Sequence, residues 1–171
     1  SRLAAVCAEF GVGLLAYGTV CGGWLSEKWL GKDAPAWETD GTWSQMKYGR
    51  FIREAGGWAA LQRVLHAAKE VADRHDVSLT NVATRFILEQ PGVAAVIVGA
   101  RLGERAHIDD NLRLCAFQLS RDDRAHLEAA IATLTPIPGD CGDEYRVPPF
   151  LTASGDLSHH LDSFPPPFEV R

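Results

Sequence analysis

Residues 93–101 read Val-Ala-Ala-Val-Ile-Val-Gly-Ala-Arg, an apolar run that ends in a turn of small residues. A short run that is rich in β-branched side chains is typical of a strand buried on both faces of a parallel sheet. A second run, residues 12–17, has the same character and follows a helix-like stretch, residues 2–10, that stops at Gly11. The succession of helix and buried strand predicts the α/β class.

Four further segments carry helix signals. They are residues 58–75 with the apolar spacing of an amphipathic helix, a segment capped by Ser78 that ends before Pro91, residues 104–114, and a segment that begins at Ser120 and Asp123 with a capping-box-like pattern. Asp123 is therefore interpreted as a capping residue. Two parallel strands cannot bury both faces and both edges of a sheet, so the architecture is expected to be incomplete without a partner, a further segment or a second copy.

Residues 18–57 are rich in Gly and Trp and show no sustained periodicity. They are predicted to form a long loop with short helical turns at most. Loops of this length within a domain are often lids or binding loops, so the segment is a candidate ligand cover. Its tryptophans suggest an aromatic-lined pocket, although packing of the same side chains against one another is an equal alternative.

Composition and charge exclude several classes of protein. With 171 residues and 46% hydrophobic residues the chain can bury the core of one soluble domain. A formal net charge of −5 gives no overall attraction to nucleic acid or to an anionic membrane. We find neither a membrane-spanning apolar stretch nor a secretory signal, which favours a cytoplasmic location. The four cysteines form no C-x-x-C pair and are expected to be free thiols.

The first segment with a chemical signal runs from Leu14 to Lys28. Tyr17 ends the predicted strand, and small residues follow it: Gly18, Thr19, Val20 and Gly22. An aromatic face beside backbone N–H groups suits a nicotinamide ring and its pyrophosphate. A tyrosine that only packs is the alternative.

The second segment runs from Val96 to Leu112. After the strand, Gly99 begins a turn into a helix whose start carries Arg101, Arg105 and His107. Positive side chains at a helix start can hold a phosphate group. The alternative is a solvated basic turn, balanced by the acidic residues that follow it.

Taken together, the two segments resemble the aldo-keto reductase family. There the seventh barrel strand ends in a Tyr-Ser-Pro-Leu-type motif before a glycine-containing loop, and the eighth strand reads Val-Ile-Pro/Val-Gly-Ala-Arg before a helix that carries Glu-Asn. The resemblance implies a partial (β/α)8 TIM barrel of about the last two or three β/α units over residues 1–135. A Pro/Gly-rich, irregular C-terminal tail is expected over residues 136–171.

The resemblance also implies roles for individual residues. Tyr17 matches the residue that stacks on the nicotinamide ring, and the small residues after it match the pyrophosphate wrap. Arg101 and His107 match phosphate contacts, Asp110 and Asn111 match the adenine-contacting pair, and the basic residues favour NADP(H) over NAD. Two departures affect these contacts: Gly18-Thr19 replaces Ser-Pro, and the turn before the last helix is about two residues longer than the commonest spacing.

The same resemblance implies that the catalytic Asp, Tyr, Lys and His belong to the first half of the barrel, which is expected to be missing from this chain. The leading function is thus the NADPH-binding portion of an enzyme that transfers hydride to an aldehyde or ketone, with little or no turnover by the isolated chain. A carbonyl substrate would bind only with the other half supplied. The alternatives are a non-catalytic dinucleotide-binding or protein-interaction half barrel and a homodimer that pairs the open sheet edges.

Two other readings of the residues are unfavoured. A substitute catalytic set would need Tyr48 or Tyr145 with Lys47, Lys69 or His66, but Lys69 and His66 belong to an ordinary amphipathic helix and Tyr145 to the Pro/Gly-rich tail. A metal site at His159-His160 lacks further ligands in the required pattern, so an exposed polar tail is the better interpretation.

Overall fold

The computed structural model describes residues 2–36, 41–100, 107–140 and 143. Its helices and strands are α1 (Arg2–Glu9), β1 (Leu14–Ala16), α2 (Trp43–Glu54), α3 (Gly57–His75), α4 (Leu79–Leu88), β2 (Val93–Val96), α5 (Ile108–Arg113) and α6 (Arg121–Ile131). Short 3₁₀ turns lie at Cys21–Gly23 and Glu27–Trp29. The two strands form a parallel sheet, so the predicted α/β class is confirmed.

The core lies between the helices more than against the sheet. α3 and α4 pack together, and Leu65, Val71, Leu79 and Val82 are fully buried between them. The spacing of these apolar residues explains why both segments are helical and why they meet along one stripe. The predicted amphipathic helix over residues 58–75 is confirmed.

The predicted helix starts are confirmed where local side chains make them. The Ser78 side chain accepts a hydrogen bond from the Asn81 amide at the start of α4. Ser120 and Asp123 form a reciprocal capping box at the start of α6. Each cap satisfies an amide that has no partner within the helix.

Asp123 also joins α6 to the end of α3. Its carboxylate accepts hydrogen bonds from Arg74 Nη2 at 2.7 Å and from His75 Nε2 at 2.8 Å. Burial raises the pKa of Asp123, but the hydrogen bonds from His75, Ser120 and Arg74 outweigh it and hold that pKa well below its usual range. The capping interpretation of this residue is confirmed, and the contact to α3 adds a second structural role.

The prediction of a loop throughout residues 18–57 is wrong, because α2 lies within it. Thr42 and Gln45 form a capping box at its start, and Gly49 and Ile52 are its buried residues. A buried face that includes a glycine gives no clear apolar periodicity, which is why the helix escapes a pattern search. The Thr-x-x-Gln capping pattern was the available signal.

The prediction that both strands are buried on two faces is also wrong, and both strands are shorter than predicted. Leu15 is 62% exposed and Ile97, just past β2, is 57% exposed. In the described part of the chain α4 packs against β2, and no further strand pairs with the other edge of β1. The α/β class is therefore shown, while the partial barrel remains a prediction.

Candidate functional site

A cleft of about 870 Å³ lies at the carboxyl ends of β1 and β2. Because the strands are parallel, the segments that follow them meet at the same edge of the sheet. Nine of the eleven predicted site residues line this cleft: Tyr17, Gly18, Thr19, Val20, Gly22, Gly99, His107, Asp110 and Asn111. The other two, Arg101 and Arg105, lie outside the described residues.

The glycine turn after β1, residues 18–23, forms one wall of the cleft. Gly18 has φ +69°, and a Cβ atom there would overlap the Tyr48 hydroxyl oxygen and lie 3.1 Å from Tyr48 Cζ. Gly22 has φ +67°, and a Cβ atom there would lie 3.0 Å from the backbone of Ser44. The positive φ favours glycine at both positions, and at Gly22 the Ser44 backbone also leaves little room for a Cβ atom.

The backbone of this turn leaves several amide groups available. Its internal hydrogen bonds use the N–H groups of Cys21 and Gly23, which donate to Gly18 and Val20. In residues 2–36 and the other described ranges, no hydrogen bond uses the N–H groups of Thr19, Val20 or Gly22. Several amides in one tight turn can bind an anion, so the donor set fits a pyrophosphate.

Tyr17 stands at the mouth of the cleft. Tyr17 is 67% exposed, so its ring is not a core side chain in the described part of the chain. Thr19 beside it shares a hydrogen bond with Thr84 of α4, with the two hydroxyl oxygens 3.0 Å apart. This bond fixes the turn against α4 and leaves the Tyr17 ring beside open space.

α5 and the segment after β2 form the facing wall. Asn111 Nδ2 donates to the carbonyl oxygen of Gly99 at 3.3 Å. The carboxylate of Asp110 accepts hydrogen bonds from Ser78 Oγ at 2.8 Å and from Asn81 Nδ2 at 3.1 Å. Asp110 therefore ties α5 to the start of α4, a structural role that the sequence did not predict.

Sequence reasoning missed the contribution of α2. Five of its residues line the cleft: Trp43, Ser44, Gln45, Lys47 and Tyr48. Trp43 is 60% exposed there, whereas Trp24 is 1% exposed and packs against Trp29 with ring centroids 4.6 Å apart. The two interpretations of the tryptophans thus apply to different residues, since Trp24 is a core side chain and Trp43 belongs to the cleft.

The charged side chains in the cleft are of both signs. Lys28, Lys47 and His107 face Glu27 and Asp110. The Glu27 carboxylate accepts a hydrogen bond from the Leu79 amide, so both acids are engaged at the start of α4. Lys28, Lys47 and His107 are the side chains of the cleft whose charge type can bind an anion.

A second, apolar cavity of about 420 Å³ lies between α2, α3, α4 and α6. It shares Tyr17, Gly18, Thr19 and Tyr48 with the cleft. Cys21 also lines this cavity, and burial raises the pKa of its thiol to about 11. The thiol is protonated at neutral pH, so Cys21 is not a nucleophile.

Of the described candidates for a substitute catalytic set, the structure brings one tyrosine and one lysine together, Tyr48 and Lys47. Tyr48 and Lys47 line the cleft, but Lys69 pairs with Asp73 on α3 and His66 does not line it. Tyr145 and His159-His160 lie outside the described residues.

None of the helices described combines the length and the apolar character needed to cross a bilayer.

The aldo/keto reductase family model matches residues 1–132. Protein tas of Escherichia coli is 31% identical over 137 residues, which cover 80% of this chain and 37% of that protein. Flagellar radial spoke protein 5 of Chlamydomonas reinhardtii is 35% identical over 86 residues, 49% of this chain and 16% of that protein. The chain thus corresponds to well under half the length of these relatives.

Proposed function

The chain belongs to the aldo/keto reductase family, and on that basis we propose that it provides the NADP(H)-binding face of a reductase that acts on an aldehyde or ketone. Family membership supports an oxidoreductase function. The observation that carries the finer proposal is that two groups of residues more than 70 positions apart in sequence line one cleft: Tyr17, Gly18, Thr19, Val20 and Gly22, and Gly99, His107, Asp110 and Asn111. Its volume of about 870 Å³ lies within the ordinary range for ligand pockets.

Each wall is proposed to hold one part of the dinucleotide. The exposed Tyr17 ring stacks on the nicotinamide, and the amides of the glycine turn bind the pyrophosphate. His107 and Asn111 bind the adenosine end, while Arg101 and Arg105 favour a 2′-phosphate. Asp110 orients α5 through its bonds to α4 and keeps the adenine as its proposed ligand.

The bound dinucleotide supplies the hydride, and this chain orients it. We propose that the proton donor and its partners come from a further part of the same barrel. The open edge of β1 and the exposed apolar residues Leu3, Val6, Phe10 and Leu15 support this proposal, since a neighbouring barrel unit would cover them. A second copy of the chain could cover the same surface, and size-exclusion chromatography separates the two cases.

The proposal is tested by titrating the purified chain with NADPH and, in parallel, with NADH while following nicotinamide fluorescence. Micromolar binding that prefers NADPH is expected, and Tyr17→Ala should weaken it by about tenfold because the ring face is lost. Phe10→Ala is the matched control, since Phe10 is equally exposed, at 72%, but does not line the cleft. Equal loss in both variants, or no binding by the wild-type chain, would contradict an autonomous cofactor site.

The second candidate is a non-catalytic half barrel that binds the dinucleotide or a protein partner. The similarity to a flagellar radial spoke protein favours it, because that name describes a component of an assembly. NADPH oxidation with an aldehyde substrate distinguishes the two functions when the chain is joined to the remainder of its barrel. Turnover supports the reductase, and binding without turnover supports the non-catalytic module.

A further inference from the structure

The apolar cavity between α2, α3, α4 and α6 is too large to stay empty. Its volume is about 420 Å³, and none of the described residues that line it carries a charge. An apolar cavity of about 150 Å³ already holds one benzene molecule, so this cavity has room for two or three apolar side chains. Left empty, it would cost a free energy comparable with the whole stability of a domain, so we expect an apolar occupant.

A neighbouring barrel unit at the open edge of β1 would not fill this cavity. The exposed apolar side chains of α1 and β1, such as Phe10 and Leu15, do not line it. Part of its wall comes instead from the segment that follows α6, because Leu134 and Ile137 line it. The chain itself therefore passes along the cavity after its last described helix.

Hydrogen bonds fix the path of this segment. The Thr135 amide donates at 3.0 Å to the carbonyl oxygen of Ala55, which also lines the cavity. Further on, the Asp143 amide donates at 3.0 Å to the carbonyl oxygen of Asp140 and closes a four-residue turn. The Asp140 carboxylate accepts a hydrogen bond of 2.8 Å from the Arg2 amide, which holds this turn at the start of α1. Because such a turn reverses the chain, we expect the next residues to head back towards the cavity.

We propose that residues 147–151, Val-Pro-Pro-Phe-Leu, occupy the apolar cavity. They lie outside the described residues and begin four positions after Asp143, a distance that about 15 Å of extended chain can cover. The run carries no charge, as the wall of the cavity requires. Its two prolines have no amide donor, so its burial leaves few backbone N–H groups without a partner.

A second run of the same kind, Phe-Pro-Pro-Pro-Phe at residues 164–168, is the competing segment. It begins 21 positions after Asp143, so it would have to close a much longer loop to reach the cavity. The shorter loop favours residues 147–151. The competing run supplies a matched control, because Phe164 has the same side chain as Phe150 and also stands beside proline.

The thiol of Cys21 reports on the cavity, because it lines the cavity and does not line the cleft at the strand ends. Wild type, Phe150→Ala and Phe164→Ala are treated with N-ethylmaleimide, and mass spectrometry follows the labelling of Cys21 relative to the exposed Cys115. Phe150→Ala should speed the labelling of Cys21 at least severalfold, because it opens the cavity, whereas Phe164→Ala should leave the rate unchanged. Unchanged labelling in Phe150→Ala, or an equal or larger rise in Phe164→Ala, would overturn the proposal.

A small apolar molecule is the other occupant that the test must separate. N-phenyl-1-naphthylamine, a neutral aromatic probe, is added before the labelling step. It should slow the labelling of Cys21 in Phe150→Ala, where the cavity is open, and leave the wild-type rate unchanged, because residues 147–151 already fill the space. Slower labelling of Cys21 in the wild-type chain would show that the cavity is open to small ligands and would overturn the proposal.

A measurement on the wild-type chain decides the case in which Phe150→Ala does not fold, as judged by far-UV circular dichroism. Chymotrypsin cuts after accessible phenylalanines that no proline follows, which applies to Phe150 and to Phe168. Initial cleavage after Phe150 should be at least severalfold slower than after Phe168, because the buried segment cannot enter the protease. Equal initial rates at the two sites would contradict the docking of residues 147–151.

Discussion

Replacing Asp123 with asparagine tests the contact that holds α6 against α3. Asp123 is 3% exposed, and its Oδ1 accepts from Arg74 Nε at 3.0 Å and from Arg74 Nη2 at 2.7 Å. Asparagine keeps the size and one carbonyl oxygen but removes the charge. A hydrogen bond to a charged group contributes about 1.5–3 kcal/mol, and water recovers part of the loss because Arg74 is half-exposed. We expect the free energy of unfolding to fall by about 2 kcal/mol.

The measurement is urea unfolding followed by far-UV circular dichroism. With a slope of about 2 kcal/mol per M, the midpoint at pH 7 should fall by about 1 M. Asp122→Asn is the control, because Asp122 lies in the same turn of α6 but is exposed. Asp122→Asn should change the free energy of unfolding by less than about 0.5 kcal/mol.

The difference in the free energy of unfolding between wild type and Asp123→Asn should also depend on pH. The pKa of Asp123 is lowered in the folded chain, whereas an unfolded aspartate has a pKa of about 3.9. The stability from this group is therefore complete above about pH 4 and is lost as the pH falls towards the folded pKa. The gap between wild type and Asp123→Asn should be constant from pH 7 to pH 5 and shrink at pH 3. A gap below about 0.5 kcal/mol at pH 7, or one that does not shrink at pH 3, refutes this reasoning.

Three further predictions concern the turn and α2. Gly18→Ala should lower the free energy of unfolding by at least about 1–2 kcal/mol, because residue 18 has a positive φ. Adding Tyr48→Phe should recover only the part of the loss that comes from overlap between the new Cβ atom and the Tyr48 hydroxyl. Wild-type urea stability in Gly18→Ala would contradict both the strain and the overlap. Thr42→Ala should destabilise α2 by about 1 kcal/mol, measured as faster hydrogen exchange of its first amides, and unchanged exchange would show that the cap is dispensable. Iodoacetamide at pH 8 should label the exposed Cys115 well before Cys21, because the raised pKa of the Cys21 thiol keeps it protonated. Mass spectrometry follows the two labelling rates, and equal rates would contradict the raised pKa of Cys21.

Local signals were sufficient for the parts of the fold that local contacts determine. The apolar spacing of α3 and the caps at Ser78 and Ser120 involve residues at most four apart, so the sequence shows them directly. α2 shows the limit of this reasoning. It is held by contacts to Gly18 and Gly22, more than 20 residues away, and a close approach to glycine leaves no apolar pattern.

For the candidate site, too, the sequence could predict local features but not contacts between distant residues. Tyr17 and the glycine turn could be selected from their motif, and the parallel pairing of β1 with β2 brings them to the edge that Gly99 also reaches. The partners of Asp110 could not be predicted, because Ser78 lies 32 residues earlier and serves first as a helix cap. A motif shows which residue types meet a ligand, but not which of them are already bonded within the protein.

The start of α4 holds both walls of the cleft. Glu27, from the segment after the glycine turn, accepts a bond from the Leu79 amide, and Asp110 of α5 accepts one from Ser78. Each carboxylate also interacts favourably with the positive end of the helix dipole. The distance between the two walls, which are proposed to hold the nicotinamide and the adenosine, is therefore set by contacts within this chain. If that is correct, completing the barrel should raise turnover far more than it raises affinity for the dinucleotide, and a large gain in affinity on completion would show that the cleft is not preformed.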